Sequence, residues 1–414
     1  MDILWESRYA QRTKGITSSM IRELLKFTQR PEVISFAGGL PAAEYFPVER
    51  FQEACQHVLA TQAQQALQYS PTEGYAPLRD MIAERLCRYN ICANADNVMI
   101  TSGSQQALSL IGALLINPGD HILVEQPTYL GAVQAFNTYQ AEYVGVPTDA
   151  DGICVDEVPA ALRHGPKFMY ILPNFQNPAG VTISEKRRIE LIRIAHTHGV
   201  PIVEDDPYGS LRFEGEHIRP LVVLDSEQAA TNGKCYTGNV IYLSTFSKTL
   251  APGLRIAWVV ASPNVISKLV QFKQGADLHT STFNQMVIYE VAKDGFIDAH
   301  VHTLREVYRK RRDVMLGALD RYMPPEVSWT QPQGGLFLWA QFPDAINVRE
   351  LFDEAVRQNV AFVPGEAFYT TPDPPPCARL NFSCVNEDRI VEGIRRLSNA
   401  VEEMLHQTNP VITP

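Results

Sequence analysis

One lysine in the chain has neighbours that could make it a covalent catalyst. Lys248 follows the apolar, strand-like run Val240–Leu243, and hydroxyl side chains surround it. A lysine at the end of a buried strand is partly desolvated, which favours its neutral amine, the form that makes a Schiff base with an aldehyde. Thr245, Ser247 and Arg255 lie close enough in the sequence to hold a phosphate dianion beside that amine.

The segment around Lys248 has two interpretations. A reactive amine beside a phosphate cradle is the arrangement that pyridoxal phosphate needs. The plainer interpretation is an ordinary surface lysine in a serine-rich turn, since short motifs also match by chance. The rest of the chain must therefore decide between a cofactor-binding lysine and a solvated one.

A second segment has the pattern of an anion-binding turn. The strand-like run Val98–Thr101 breaks at Ser102, Gly103 and Ser104, and the chain continues as a helix through Gln105. Free N–H groups and the helix dipole favour an anion at such a helix start. The alternative is an ordinary helix N-cap made by one of the two serines, because serine is a favoured cap in any helix.

Three adjacent acids, Glu204, Asp205 and Asp206, follow another apolar run and precede Tyr208. Such a cluster could bind a metal ion or lie in a solvated loop. A magnesium site would need further carboxylates nearby, and none is evident in the sequence. We therefore expect no metal here.

The elements that must position these residues are short strands that alternate with amphipathic helices. This alternation predicts an α/β fold with an open, mainly parallel sheet covered by helices on both faces, and ligands then collect at the carboxyl ends of the strands. Thr182–Glu185 has the pattern of a capping box for a helix that ends near Gly199. The predicted strands are Val98–Thr101, His121–Val124, Phe168–Leu172, Pro201–Glu204, Val240–Leu243 and Ile256–Val260.

The composition limits the classes of protein to which the chain could belong. Its 414 residues suffice for two domains, and its net charge of −10 argues against a nucleic-acid or anionic membrane surface. Seven scattered cysteines without a CxxC pair fit a reducing compartment. We see no signal peptide and no apolar run long enough to cross a bilayer, so we expect a cytoplasmic protein.

Further motifs complete a pattern known from one family. Phe36–Pro41, Gln68–Tyr75, Pro173–Gly180 and Val363–Phe368 occur in order with the segments described above. Together these segments resemble the class I/II aminotransferases, the aspartate-aminotransferase-like enzymes of pyridoxal-phosphate fold type I. The whole chain looks most like the branch of 2-aminoadipate and kynurenine aminotransferases.

The resemblance implies a domain organisation. Residues 46–300 would form the large cofactor-binding domain, with a mainly parallel sheet between helices, and residues 301–414 a smaller α+β domain. Residues 1–45 would be an N-terminal segment that packs on the small domain. The long amphipathic run Ile297–Tyr322 would lead from the large domain to the small one.

The resemblance also implies roles around pyridoxal 5'-phosphate. Lys248 would carry the cofactor, Asp205 would pair with its ring nitrogen and so keep the ring protonated, and Tyr129 would stack on the ring. Asn177 and Tyr208 would bind the phenolic oxygen. The phosphate would be held by Gly103, Ser104, Gln105, Thr245, Ser247 and Arg255, and by Tyr69 from a neighbouring subunit, which makes a homodimer the expected assembly.

Substrate-binding residues follow from the same resemblance. Arg379 would grip the α-carboxylate of the substrate, because a guanidinium matches a carboxylate bidentately. Gly39 would supply a backbone N–H and Asn177 a further contact. Arg22 would contact a side-chain carboxylate. The plainer interpretations are that Arg379 is a surface arginine and that Arg22 is solvated on an amphipathic helix.

The implied activity is the ping-pong transfer of an amino group through a Lys248 Schiff base. The donor would be an L-amino acid of the 2-aminoadipate, aromatic or branched-chain type, and the acceptor a 2-oxo acid, most plausibly 2-oxoglutarate. Three alternatives stay open: a lyase or decarboxylase on the same fold, a ligand-sensing domain of a transcriptional regulator, and a binding protein without catalysis.

Overall fold

The computed structural model of the protein describes residues 4–16, 30, 32–87, 93–228 and 235–408. Arg22 therefore lies outside the described residues. Within the described parts, no helix is both long enough and apolar enough to cross a membrane.

Strands and helices alternate through the middle of the chain. The strands are β1 Ile34–Ser35, β2 Val98–Thr101, β3 His121–Gln126, β4 Glu142–Asp149, β5 Gly152–Ile153, β6 Met169–Ile171, β7 Ile202–Asp205, β8 Val240–Thr245, β9 Ala257–Val260, β10 Ser328–Trp329, β11 Phe337–Gln341, β12 Val360–Ala361, β13 Val363–Pro364 and β14 Cys377–Asn381. The α-helices are α1 Val48–Ala66, α2 Ala76–Cys87, α3 Ser104–Leu115, α4 Leu130–Asn137, α5 Val158–Ala161, α6 Glu185–His198, α7 Leu221–Gln228, α8 Pro263–Ala276, α9 Thr282–Ala292, α10 Phe296–Tyr322, α11 Val348–Arg357 and α12 Glu387–Thr408. Short 3-10 helices lie at Trp5–Arg8, Gln11–Gly15, Ala43–Tyr45, Ala95–Asn97, Val155–Glu157, Leu162–His164, Gly209–Leu211, Pro252–Leu254 and Gly365–Phe368.

The central sheet has eight strands within the described residues, in the order β2-β9-β8-β7-β6-β3-β4-β5. The pairs from β8 through β7, β6 and β3 to β4 are parallel, and β9 and β5 add antiparallel pairs. The mainly parallel α/β architecture predicted from the sequence is confirmed.

Both faces of this sheet are buried, which explains why its strands are continuous apolar runs. Val98 and Ile100 of β2 pack in one hydrophobic cluster, whereas Met99 between them packs in a second cluster on the other face. This division follows from the two-residue period of a strand. Helices α3 and α8 lie on the Met99 side and supply buried leucines and isoleucines there.

A second, antiparallel sheet with the order β10-β11-β14-β13 lies in the C-terminal part. Near the other end of the chain, β1 pairs in parallel with β12, so Ile34 and Ser35 lie beside Val360 and Ala361. Helix α10 spans the boundary predicted at residues 300 and 301. The domain limits given above stay a prediction.

The capping box predicted at residues 182–185 is wrong. Helix α6 has Ser184 as its N-cap residue, and that serine makes no side-chain capping bond. The Thr182 hydroxyl instead accepts the backbone N–H of Phe175 at 3.2 Å, so it braces the loop that carries Asn177. The predicted end at Gly199 is confirmed, because this glycine has the left-handed conformation, φ 64°, that favours glycine at a helix end.

Helix α6 carries a fully buried arginine that fixes the loop after β6. The Arg188 guanidinium donates to the carbonyl oxygens of Ile183, Pro173 and Arg219 at 2.8–2.9 Å and to Asn174 Oδ1 at 2.6 Å. Burial lowers its pKa to about 10, so it keeps its charge at neutral pH. One side chain thus ties together segments from three parts of the chain.

We expect Arg188→Met to lower the free energy of unfolding by roughly 3 kcal/mol or more, because each buried acceptor left without its donor costs about 1–3 kcal/mol. Urea unfolding checks this value. Arg193→Met is the matched control on the same helix, since Arg193 makes only an exposed pair with Glu190, which solvent screens, and its loss should change the stability little. Equal losses in the two variants would contradict this role of Arg188.

Candidate active site

The loops after the carboxyl ends of the parallel strands surround a cavity of about 280 Å³. Side chains from the large sheet and from the C-terminal sheet both contribute to it. The lining consists of Gly39, Ser104, Gln105, Tyr129, Leu172, Asn177, Asp205, Pro207, Tyr208, Thr245, Ser247, Lys248, Pro252, Arg255 and Arg379. The structure therefore brings most of the sequence-predicted site residues to one cavity.

Lys248 lies in the turn after β8. Its Nζ donates to the backbone oxygen of Gly39 at 2.7 Å. Burial of the amine, together with the positive charges of Arg379 and Arg255, lowers its pKa to about 8. A substantial fraction of this lysine is therefore the neutral amine near physiological pH, which is the nucleophilic form.

Asp205 ends β7 and has two unlike carboxylate oxygens. Its Oδ2 accepts the hydroxyl of Tyr170 at 2.8 Å, whereas its Oδ1 is buried and has no hydrogen-bond partner among the described residues. Burial raises the pKa of this carboxyl to about 7; the bond from Tyr170 opposes the rise, and the nearby charge of Asp206 adds to it. A cationic N–H group beside Oδ1 would stabilise the ionised form.

The turn before α3 can approach an anion closely. Gly103 is its N-cap with φ +86°, and a Cβ on this glycine would lie 2.3 Å from a guanidinium nitrogen of Arg255. Any other residue would collide with that guanidinium. Ser104 Oγ is buried without a hydrogen-bond partner in the described structure. On the facing side, Thr245 Oγ1 accepts the N–H of Ser247 at 3.0 Å and donates to its hydroxyl at 2.9 Å.

Arg379, on β14, is buried and connects three segments of the chain. Its guanidinium donates to Asn177 Oδ1 at 2.8 Å and to the backbone oxygen of Ala37 at 2.6 Å. The same group lies over the rings of Phe337 and Phe368, at 4.4 and 5.1 Å from their centres. Burial lowers its pKa to about 10, so it stays a cation at neutral pH. Its Nε has no partner among the described residues.

Two tyrosines complete the walls. Tyr208 is buried and packs edge-on against Phe337, with ring centres 5.9 Å apart. Burial raises the pKa of both Tyr129 and Tyr208, so both phenols stay protonated donors at neutral pH. Asn177 uses its oxygen as the acceptor for Arg379, which leaves its amide nitrogen to act as a donor.

Two predicted residues do not line this cavity. Tyr69 is 78% exposed, and its ring packs edge-on against His279 at 5.8 Å. Gly103 does not line the cavity itself and forms the turn behind Ser104. Arg22 lies outside the described residues, so its position in the site stays a prediction.

Sequence reasoning missed several residues around the site, of which Tyr170 is the most informative. Tyr170 pairs with Val203 across β6 and β7, and Asp205 lies two residues after Val203 on the same face. The two-residue period of the strands could have indicated this contact, but only once the strand order was known. The other missed residues are Leu172, Pro207, Pro252, Phe337 and Phe368.

These residues fit pyridoxal phosphate. A buried carboxylate oxygen of Asp205 without a partner suits a protonated ring nitrogen, and the buried hydroxyl of Ser104 suits a phosphate oxygen. The amine of Lys248 and the guanidinium of Arg255 border the same cavity. The cavity thus offers each chemical group of this cofactor a complementary partner.

Comparison with known proteins agrees with this geometry. Residues 32–397 match the family model described as aminotransferase class I and II. The chain is 46% identical over 406 residues to aromatic-amino-acid aminotransferase 1 of Thermococcus litoralis, which covers 96% of this chain and 95% of that protein. It is 43% identical over 402 residues to the 2-aminoadipate transaminase of Thermus thermophilus, which covers 97% of this chain and 98% of that protein.

A solved structure shows the same fold. The α-aminoadipate aminotransferase LysN from Thermus thermophilus, complexed with N-(5'-phosphopyridoxyl)-L-leucine, superposes with a TM-score of 0.91 at 41% identity and covers 98% of this chain and 100% of that one. The chain belongs to the class I and II aminotransferases. It is a transaminase that depends on pyridoxal phosphate, with the fold type I expected from its sequence.

We expect the amine of Lys248 in the cofactor-free protein to react with acetic anhydride with a midpoint near pH 8, instead of about 10.4 for an ordinary lysine. Reactivity should rise with pH, because the neutral amine is the nucleophile. Peptide mass spectrometry measures the extent of labelling. Arg379→Met should move the midpoint upward, since it removes one of the two positive charges that lower the pKa. A midpoint near pH 10 in the unsubstituted protein, as for an ordinary lysine, would contradict the burial of the amine.

Proposed function

We propose that this aminotransferase moves the amino group of an L-amino acid with a 2-aminoadipate, aromatic or branched-chain side chain to the 2-oxo acid 2-oxoglutarate. The observation that carries the substrate assignment is the set of cations around the cavity. Among the described residues these are Lys248, Arg255 and Arg379. Lys248 and Arg255 serve the cofactor, which leaves Arg379 for the α-carboxylate of the substrate.

This set of cations has a consequence for the substrate side chain. An apolar or aromatic side chain needs no further charge, and Phe337 and Phe368 already pack on Arg379. A second carboxylate, as in 2-aminoadipate or glutamate, needs another cation to offset its desolvation. We assign that part to Arg22, which lies outside the described residues. The donors named for the relatives, aromatic amino acids and 2-aminoadipate, agree with both halves of this proposal.

When bound, pyridoxal phosphate supplies an aldehyde that exchanges between amines and a ring that accepts electrons. The residues of this chain hold and move the protons. Lys248 Nζ, once free of the cofactor, would take the proton from the α-carbon of the substrate and deliver it to the carbon that carried the aldehyde. Asp205 Oδ1 keeps the ring nitrogen protonated, and Arg379 fixes the substrate so that its α-hydrogen faces Lys248.

The remaining contacts fix the cofactor. Tyr208 and Asn177 would hold the phenolic oxygen of the cofactor, because a protonated phenol and an amide nitrogen are both donors. Tyr129 would stack on the ring, and Gly39 would supply a backbone N–H to the substrate. Gly103, Ser104, Gln105, Thr245, Ser247 and Arg255 hold the phosphate.

We also propose a homodimer that acts in the cytoplasm. Tyr69 and its neighbour Leu67 are 78% and 74% exposed, and Leu278 is 53% exposed, although all three are large apolar or aromatic side chains. Burial against a second copy would remove this surface from water. The cysteines in the described parts of the chain are free, as is usual in a reducing compartment.

The donor preference is tested by a panel of half-reactions. The cofactor-loaded protein is mixed with one amino acid at a time, and the absorbance of the cofactor reports its conversion from the aldehyde to the amine form. We expect aromatic, branched-chain and 2-aminoadipate donors to react. Arg22→Ala should slow the half-reaction with 2-aminoadipate by about tenfold or more, because a hydrogen bond between charged groups is worth about 1.5–3 kcal/mol. The rate of the half-reaction with leucine should stay unchanged. Equal effects on the rates with both donors would mean that Arg22 is a solvated residue without a role in the choice of donor.

Two controls accompany the panel. Lys248→Ala should lose at least about 10²–10⁴-fold in rate, the usual contribution of a general base, and it also loses the covalent link to the cofactor. Addition of 2-oxoglutarate should regenerate the aldehyde form and produce glutamate. Repeated turnover of the amino acid alone, with more than one product molecule per bound cofactor and no acceptor, would instead indicate a lyase or decarboxylase.

The shared active site is tested by mixing two inactive variants. In a hybrid dimer of Tyr69→Ala and Lys248→Ala, one site combines both defects, whereas the other receives an intact Tyr69 from one subunit and an intact Lys248 from the other. We therefore expect mixed dimers to bind the cofactor more tightly than Tyr69→Ala and to turn over faster than either parent. Activity equal to the average of the parents would show that Tyr69 serves its own subunit. A different affinity tag on each variant allows the hybrid dimers to be isolated before the assay.

A further inference from the structure

The phosphate-binding turn has a polar network behind it that does not line the cavity. Ser102, the residue before Gly103, donates its backbone N–H to Gln106 Oε1 at 2.8 Å. Its hydroxyl donates to Asp277 Oδ2 at 3.1 Å and lies 3.2 Å from the hydroxyl of Thr280. The N–H of Ser102 is thus held by a side chain of α3, and its hydroxyl by residues that follow the end of α8.

The acceptor for the Ser102 N–H is itself fixed on both of its amide atoms. Gln106 Oε1 also accepts Lys273 Nζ at 2.9 Å, and Gln106 Nε2 donates to Asp277 Oδ2 at 2.7 Å. These two contacts determine which amide atom faces Ser102. Gln105, its neighbour in sequence, borders the cavity, so the two glutamines of this segment have different surroundings.

The network is anchored by a buried ion pair within one helical turn. The Lys273 side chain has no exposed surface and donates to both carboxylate oxygens of Asp277, at 2.7 and 2.9 Å. A lysine this deeply buried costs desolvation energy and is rarely present without a specific partner. Its charge also offsets the carboxylate of Asp277, which otherwise would stand uncompensated behind a turn that receives an anion.

We infer that Gln106, Lys273 and Asp277 are positioning residues for the cofactor phosphate. They hold the turn at Ser102 and Gly103 so that Ser104, Gln105 and Arg255 meet the phosphate, although none of the three lines the cavity. This inference rests on the proposed phosphate cradle. A prearranged turn avoids the cost of ordering it when the phosphate binds, so loss of the network weakens binding of the phosphate.

The test compares the full-length holoenzyme with two single variants, Gln106→Leu and Lys273→Met. Equilibrium dialysis gives the dissociation constant of pyridoxal phosphate, and the phosphorus NMR resonance of the bound cofactor reports the surroundings of its phosphate. We expect the dissociation constant to rise about tenfold in both variants, since each removes three hydrogen bonds of the network that holds the turn. The phosphorus resonance should move, whereas the visible absorbance band, which reports Lys248 and Asp205, should not.

Three further variants make the result decisive. Lys268→Met is the matched control, because Lys268 is an exposed lysine on the same helix α8 that contacts Gln271, and it should change neither value. Ser102→Ala removes only the hydroxyl contacts with Asp277 and Thr280, so it supplies a mild variant if Gln106→Leu fails to fold. It should move the phosphorus resonance in the same direction by a smaller amount.

Ser104→Ala tests the cradle independently of the network. If Ser104→Ala moves the phosphorus resonance and Gln106→Leu and Ser102→Ala leave it in place, the network has only a structural role and the inference is wrong, while the cradle stands. If none of them moves the resonance, the phosphate lies elsewhere, and both the cradle and the inference fail. A shift in Gln106→Leu, Lys273→Met and Ser104→Ala with none in Lys268→Met supports both.

Discussion

Desolvation of charged groups at the carboxyl edge of the central sheet is the constraint on which the site depends. Lys248, Asp205 and Arg379 have shifted pKa values chiefly because protein surrounds them, and each shift has a use. Burial makes the lysine amine available as a nucleophile and leaves one oxygen of Asp205 in need of a cationic partner. It does not discharge Arg379, because the pKa of a guanidinium starts high enough to tolerate the loss.

The same constraint explains why buried polar groups around the site form hydrogen bonds with one another. Arg379 donates to Asn177 and to the backbone of Ala37, and so it connects β14 with the loop after β6 and with the N-terminal segment. Arg188 fixes that same loop from the opposite side. Each of these bonds satisfies a group that would otherwise be costly to bury, and together they place Arg379 relative to the central sheet.

Behind the phosphate turn, the network of Lys273 and Asp277 extends toward the surface that carries Tyr69. Thr280, which contacts Ser102, accepts a bond from Gln285 at its backbone oxygen, and Gln285 in turn accepts the N–H of Tyr75. The segment that precedes α9 therefore contacts both the turn proposed to receive the phosphate and the segment proposed to reach a neighbouring subunit. A continuous set of hydrogen bonds joins the two.

The sequence by itself determined the α/β class and the main strands, because alternating apolar runs set the sheet. The family resemblance of its motifs also indicated most of the residues that line the cavity. The sequence could not determine the contact of Tyr170 with Asp205, the hydrogen bond from Phe175 to Thr182 or the polar network around Ser102. Those depend on which strands and helices become neighbours, and that is a property of tertiary packing over long sequence separations. For the same reason, the protonation states of Lys248 and Asp205 were decided by burial and not by residue type.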